Sequence, residues 1–323
     1  MSDVIQKNGE ILFLYDAKMC NPNGDPDDEN RPRMDTETER CLVSDVRLKR
    51  YIRDYLEEKG YDIYVTKLQG VVEATERLKR LLAKDNPSGS DLPALLKKLV
   101  DIRLFGATMP IKGEKRGEGE AVNLTGPVQF TWGYSLNKVQ HVDSVTITSQ
   151  FATREDARQG TFGKDYRLYY ALLAFHGVVS AKRAAAMKIK AAGDADAAIS
   201  KRDLDVLDEA VIKAIPLLAT RSKIGQYPRL YMRFVFADDE TFMGDLRDYV
   251  KLVPDRNLRS TADSVLEVGN LLKKISQMSA RIEHLFLWHQ PELQTAVNGS
   301  KVDLREQVEQ ILSKDKVKLI EGI

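Results

Sequence analysis

The sequence predicts an α+β fold, a ferredoxin-like βαββαβ core of the RRM-like kind enlarged by insertions. Two observations lead there. An apolar run, Ile11-Leu12-Phe13-Leu14-Tyr15, is followed by a helix-patterned segment starting at Ser44 and by an alternating stretch, Tyr61–Thr66, which together read β-α-β. After a long interruption, Arg167–Ser180, Lys201–Ile215 and Arg229–Phe236 repeat the strand-helix-strand order, giving the split plan on which RNA-recognition domains are built.

Each element has its own warrant. Ile11–Tyr15 does not alternate, so it reads as a strand covered on both faces. The segment that follows, residues 21–35, contains three prolines and a glycine and cannot form a regular element. It is a long polar loop leaving a core strand, a place where function is commonly displayed. Ser44 is placed to cap the next helix, Leu48, Ile52, Tyr55 and Leu56 give it an apolar face, and Gly60 ends it. From Val71 to Val100 the pattern is helical, broken at Asp85–Ser90, and we read residues 67–127 as a helical and loop insertion. Lys112–Glu120 is charged and glycine-rich and reads as a loop. Val128–Leu136 alternates without a fault and reads as one strand, and Val145–Thr148 as another. Thr153–Tyr166 is polar and loop-like, Arg167–Ser180 reads as a buried strand, and Pro216 should stop the helix from Lys201. Residues 241–323 form a C-terminal extension on the same single domain, 1–323.

Composition restricts function. Lys and Arg number 49 against 48 acids, so no global field advertises a polyanionic partner. Local excesses do. Residues 211–233 hold Lys213, Arg221, Lys223, Arg229 and Arg233 with no acid, and residues 154–190 hold eight basic and three acidic side chains. Cys20 and Cys41 fit no zinc spacing and read as reduced thiols. With no signal-like apolar segment at the start and no long apolar run, the expectation is a cytoplasmic chain without membrane contact.

Candidate sites follow from residue type and spacing. Asn23 and Gly24 can offer donors to phosphates, with Arg31 and Arg33 adding charge. Asp25, Asp27 and Glu29 alternate as calcium ligands would. However, Asn30 and Thr36 stand where an EF-hand needs Gly and Glu, so no metal is expected. Arg47, Lys49, Arg50 and Arg53 crowd the first half of the helix from Ser44, where the helix dipole prefers acids, and this points to an external anion. Arg229–Phe236 has the basic and aromatic texture of an RNA-binding strand without its glycines. The four histidines show no catalytic or zinc spacing, and no cofactor motif occurs.

In order along the chain, the loop Asn21-Pro22-Asn23-Gly24-Asp25-Pro26, the helix start Val43–Arg53, Arg103-Leu104-Phe105-Gly106-Ala107-Thr108, Leu124–Phe130, Gly160–Lys164 and Ala174-Phe175-His176-Gly177 resemble the signature segments of one family. This is the backbone subunit of type I CRISPR interference complexes (Cascade), in the RAMP superfamily, and the chain is most similar to the I-B form. The resemblance spans roughly residues 10–236 and weakens beyond them. It implies a non-catalytic RNA-binding protein with an RRM-like palm and, over residues 149–167, a thumb-like hairpin that folds over the guide and touches the next copy. The implied partners are the CRISPR guide RNA, target DNA, further copies in a head-to-tail filament, and the large PAM-reading, guide-handle-binding and small subunits. The candidate RNA-binding residues are Asn21, Asn23, Gly24, Arg33, Arg47, Lys49, Arg50, Arg53, Arg103, Phe105, Gly106, Gln150, Arg154, Arg158, Phe162, Lys164, Arg221 and Lys223. Asp16, Asp25 and Asp35 are the acids that could serve near RNA, and two alternatives stay open: a metal-assisted endoribonuclease using Asp25 or Asp35, as in distant type III relatives, and an RRM-like protein with no CRISPR role.

Overall fold

The computed structural model describes residues 4–66, 73–112, 119–142, 146–148, 162–217 and 220–321. The chain is a mixed α/β protein organised around the strand β1 (Gly9–Cys20). Further strands are β2 (Arg40–Val43), β3 (Val128–Phe130), β4 (Gly133–Ser135), β5 (Leu168–Val179), β6 (Gln226–Phe236), β7 (Ile282–His289) and β8 (Val317–Leu319). The principal helices are α1 (Asp45–Glu58), α2 (Lys201–Leu217), α3 (Gly269–Met278) and α4 (Leu304–Leu312). The main sheet runs β8-β7-β6-β1-β5-β4-β2 and ends on the short strand Met34–Asp35, with β3 also paired to β5. Its neighbours are antiparallel except β7 and β8.

β1 is buried on both faces, as its unbroken apolar run requires. Ile11, Phe13, Tyr15 and Ala17 join one core with Leu48, Ile52 and Leu56 of α1 and Leu204, Leu207 and Val211 of α2. Leu12 and Leu14 point the other way, into a second core built with Leu246, Leu266, Leu271, Val308 and other residues of the C-terminal part. Residues beyond 241 therefore cover the second face of the sheet. A small sheet there, Lys251–Val253, Val265–Glu267, Thr295–Val297 and Ser300–Val302, packs with α3 and α4.

Several elements depart from the sequence reading. Tyr61–Thr66 is not a strand. The Asp101 carboxylate accepts from Tyr64 N at 3.0 Å and Val65 N at 3.3 Å, replacing a partner strand for those two N–H groups. Val128–Leu136 is split into β3 and β4, with Thr131 and Trp132 outside the ladder. Flanking the loop expected at 112–120, Gly106–Lys112 and Gly119–Thr125 pair as a hairpin, and residues 113–118 lie outside the described residues. Pro216 does not stop the helix: α2 includes it and is described as far as Leu217. The helical reading of 71–100 holds as Ala74–Leu82 and Leu92–Lys98, with Val100–Phe105 following.

Arg233 shows how the sheet is anchored. Its guanidinium forms a two-pronged pair with Asp208 of α2, at 2.7 and 2.6 Å, and Asp208 also accepts from Tyr231 Oη at 2.6 Å. All three are buried, as are Phe234 and Phe236. Tyr231, Phe234 and Phe236 thus serve the two cores and Arg233 ties the strand to α2, in place of the RNA-binding texture read from Arg229–Phe236.

Candidate nucleic-acid interface

The loop leaving β1 is folded by its own polar groups. Asn23 Oδ1 accepts from Ser44 N at 2.9 Å and from Ser44 Oγ at 3.1 Å, while the Asn23 carbonyl accepts from Arg33 N at 3.0 Å. Ser44 Oγ accepts from Arg47 N at 3.2 Å, capping α1. Loop, cap and first helical turn are therefore one hydrogen-bonded unit. Asn21 Nδ2 donates to the Asn30 carbonyl at 2.7 Å. A Cβ on Gly24 would stand 2.0 Å from Asn30 Oδ1, so only glycine fits this turn without rearrangement. The loop's charges largely answer one another: Arg33 pairs with Asp25 at 2.9 Å, and Arg31 lies 3.7 Å from both Asp28 and Glu29.

Two cations beside this unit are not answered. The Arg47 guanidinium lies 4.1 Å from the centre of the Tyr51 ring, and Lys223 Nζ donates to the Asn21 carbonyl at 2.6 Å. Among the described residues no carboxylate stands within ion-pair distance of either. Burial, and next the neighbouring Arg47 charge, push the Lys223 ammonium down to about 8. The pair sits against the positive end of α1, whose first-turn acid, Asp45, is taken by Lys49 at 3.0 Å. Tyr51 and Gln226, joined at 3.3 Å, floor the site. Two crowded cations at a helix N-terminus are destabilising until an anion joins them, and a phosphate group supplies that charge in compact form.

A pH dependence follows. A bound phosphate holds the Lys223 proton to higher pH than the free protein does, so binding above pH 8 takes up a proton. Polyanion affinity should fall as the pH rises through 8. Titrations at about pH 7 and about pH 9 check this, and Lys223→Arg should flatten the dependence because guanidinium does not titrate there.

The other basic residues of α1 have internal partners. Lys49 bonds Asp45 and, at 2.9 Å, Gln129; Arg50 reaches Asp54 and the Val65 carbonyl; Arg53 pairs with buried Asp101 at 3.1 Å. Each is 9% exposed. Their placement against the dipole is explained by these partners, so of the four only Arg47 still needs an external anion. Arg103 is held by Asp203 at 2.7 Å and by the Leu96 and Lys97 carbonyls. Phe105 is buried beneath Lys49 and Arg53, and Gly106 (φ +78°) packs against the Leu124 carbonyl. Phe105 and Gly106 are buried in the scaffold, and Arg103 is partly buried and held by these partners.

Arg221 is exposed, 3.5 Å from Asp165. Lys164 reaches back to Glu29 at 2.7 Å and ties the short strand Phe162–Lys164, paired with Thr146–Thr148, to the loop. Gln150, Arg154 and Arg158 lie outside the described residues. The acids considered for catalysis are engaged. Asp16 is buried with Arg229 at 2.9 Å and Thr261 Oγ1 at 2.7 Å; Asp25 takes Arg33; and Asp35 accepts from Thr38 Oγ1 at 2.6 Å. Among the described residues no three His, Cys, Asp or Glu side chains are grouped as a metal would need. Both cysteines are free and buried, and burial pushes the Cys20 thiol up to about 12.

Sequence reasoning missed Trp132. Its indole is 49% exposed, and the Arg33 guanidinium lies 5.9 Å from its ring. The regular alternation of residues 128–136 hid the break that displays it.

The family model for CRISPR-associated protein Cas7 matches residues 7–269. A CRISPR-associated protein Cas7 from Haloferax volcanii is 35% identical over 298 residues, covering 85% of each chain. Among solved structures, a chain of a CRISPR RNA-guided surveillance complex superposes with a TM-score of 0.50 at 14% identity, over 98% of this chain and 95% of that one. A chain of such a complex in a pre-nicking state gives 0.52 at 15% identity, over 98% and 96%. At these identities the structural likeness speaks to the fold.

Proposed function

The chain belongs to the Cas7 family of CRISPR-associated proteins, and from that premise we propose that it is a non-catalytic backbone subunit of a type I Cascade, polymerising along guide RNA and presenting it to target DNA. The observation that carries the reading is the carboxylate-free pair Arg47 and Lys223 at the N-terminus of α1. Such a site reads phosphate and not base, as a protein must when the guide sequence varies from one complex to the next.

The strand order β6-β1-β5-β3, with α1 and α2 on one face, supports an RRM-like palm. An RNA-recognition domain leaves its other sheet face open to RNA. Here residues beyond 241 cover that face, so the guide belongs at the ends of the strands, along the 21–35 loop and α1. Thr146–Thr148, just before the segment 149–167 assigned to a thumb, pairs with Phe162–Lys164 near its end, and Lys164 ties that end to the loop. Head-to-tail repetition along RNA then sets copy number by RNA length. The large, guide-handle-binding and small subunits of an I-B-like complex are the further partners.

Asp16 is buried and paired with Arg229, and Asp25 is paired with Arg33, which favours a non-catalytic role over the endoribonuclease alternative, because a general acid or base must reach its substrate. To test this, guide-like RNAs of increasing length are incubated with the protein, with and without magnesium. Particle mass should rise in steps with RNA length and the RNA should stay intact. Magnesium-dependent cleavage would overturn the non-catalytic reading, and a mass independent of RNA length would overturn the filament.

A further inference from the structure

Trp132 is displayed by a stiff piece of backbone. Thr131 N and Oγ1 both donate to the His176 carbonyl, at 2.9 and 3.1 Å, and the Trp132 carbonyl accepts from Arg247 Nη1 at 2.6 Å. Gly133 lies so close to the Phe175 ring that a Cβ would stand 2.4 Å from it. Gly133 is also in register with Val43, the residue before the Ser44 cap of α1. Trp132 therefore stands beside the backbone that leads into the Ser44 cap of α1. Arg33, beside its ring, is bonded through its backbone N–H to Asn23, which holds Ser44. A large ring is left half in water while the backbone on both sides is anchored.

We infer that Trp132 is a stacking platform for an unpaired nucleobase of the RNA whose phosphates Arg47 and Lys223 hold, a reading that rests on the RNA-binding role proposed above. The occupant is argued from the surroundings. An apolar protein segment would gain nothing from the cations at this site. A nucleic-acid strand carries an anion and a flat π face on each residue, and so satisfies both halves. Stacking tolerates any base, which suits a guide of variable sequence. An indole edged by Arg33 and carried on backbone beside the α1 cap lets a base turn away from its own phosphate.

The test compares an ordinary single-stranded RNA with an abasic RNA of the same length, which keeps every phosphate and loses every base. Trp132→Ala should weaken binding of the ordinary RNA by roughly 5- to 150-fold and leave the abasic RNA unchanged, while Trp132→Phe should restore most of the loss. An equal loss on both RNAs, as a contact with another protein copy or a damaged fold would give, overturns the inference. So does no loss on either, or a Phe variant as weak as the Ala variant. Wild-type protein that binds neither RNA would instead overturn the RNA-binding role itself.

Discussion

An Arg47→Ala, Lys223→Ala double variant is expected to fold normally and to lose most of its affinity for guide RNA. Hydrogen bonds to charged groups contribute about 1.5–3 kcal/mol each, so removing two phosphate contacts should weaken binding by roughly two to four powers of ten. The dependence of affinity on salt should change too, its logarithmic slope falling by ~0.7 per lost contact on a single strand. Lys182→Ala, on an exposed cation paired with Glu240 away from the site, should leave both quantities unchanged. Binding isotherms at several salt concentrations decide it. An unchanged slope in the double variant would mean that the pair faces solvent without a ligand.

The largest loss of stability is expected at Asp208. Asp208→Ala leaves the buried Arg233 charge with only Asp205, at 4.0 Å, and leaves the Tyr231 hydroxyl without its acceptor. Breaking a buried pair from one side costs about 3–5 kcal/mol. Replacing both partners by apolar residues, Asp208→Leu with Arg233→Met, should recover most of that, because no unpaired charge remains. Urea unfolding midpoints measure both variants. A double variant no more stable than Asp208→Ala would show that shape, and not charge, dominates this site.

What could be read in advance follows from the range of the forces involved. β1, α1, β5 and β6 are set by local patterns: an apolar run, a cap with helical spacing, and a glycine at the stop. Tyr61–Thr66 alternates as a strand would, yet the Tyr64 and Val65 N–H groups are taken by Asp101, far along the chain. A pattern of six residues cannot reveal that. The same limit governed the site. Arg47 and Arg53 are equivalent in sequence, basic and on one helix, and what separates them is that Asp101 meets one and no acid meets the other. Lys223 joins the site through the turn before β6, and only the folded sheet brings it to Arg47. The C-terminal cover over the sheet was likewise invisible, since an apolar face gives no sign of which element will bury it.

The most direct test of the proposed role is to purify the tagged protein from its native cells and sequence the nucleic acid it carries. A backbone subunit should yield RNAs of one repeated length, with constant repeat-derived ends and variable interiors. A preparation free of nucleic acid, or one carrying mixed cellular RNAs of unrelated lengths, would contradict it.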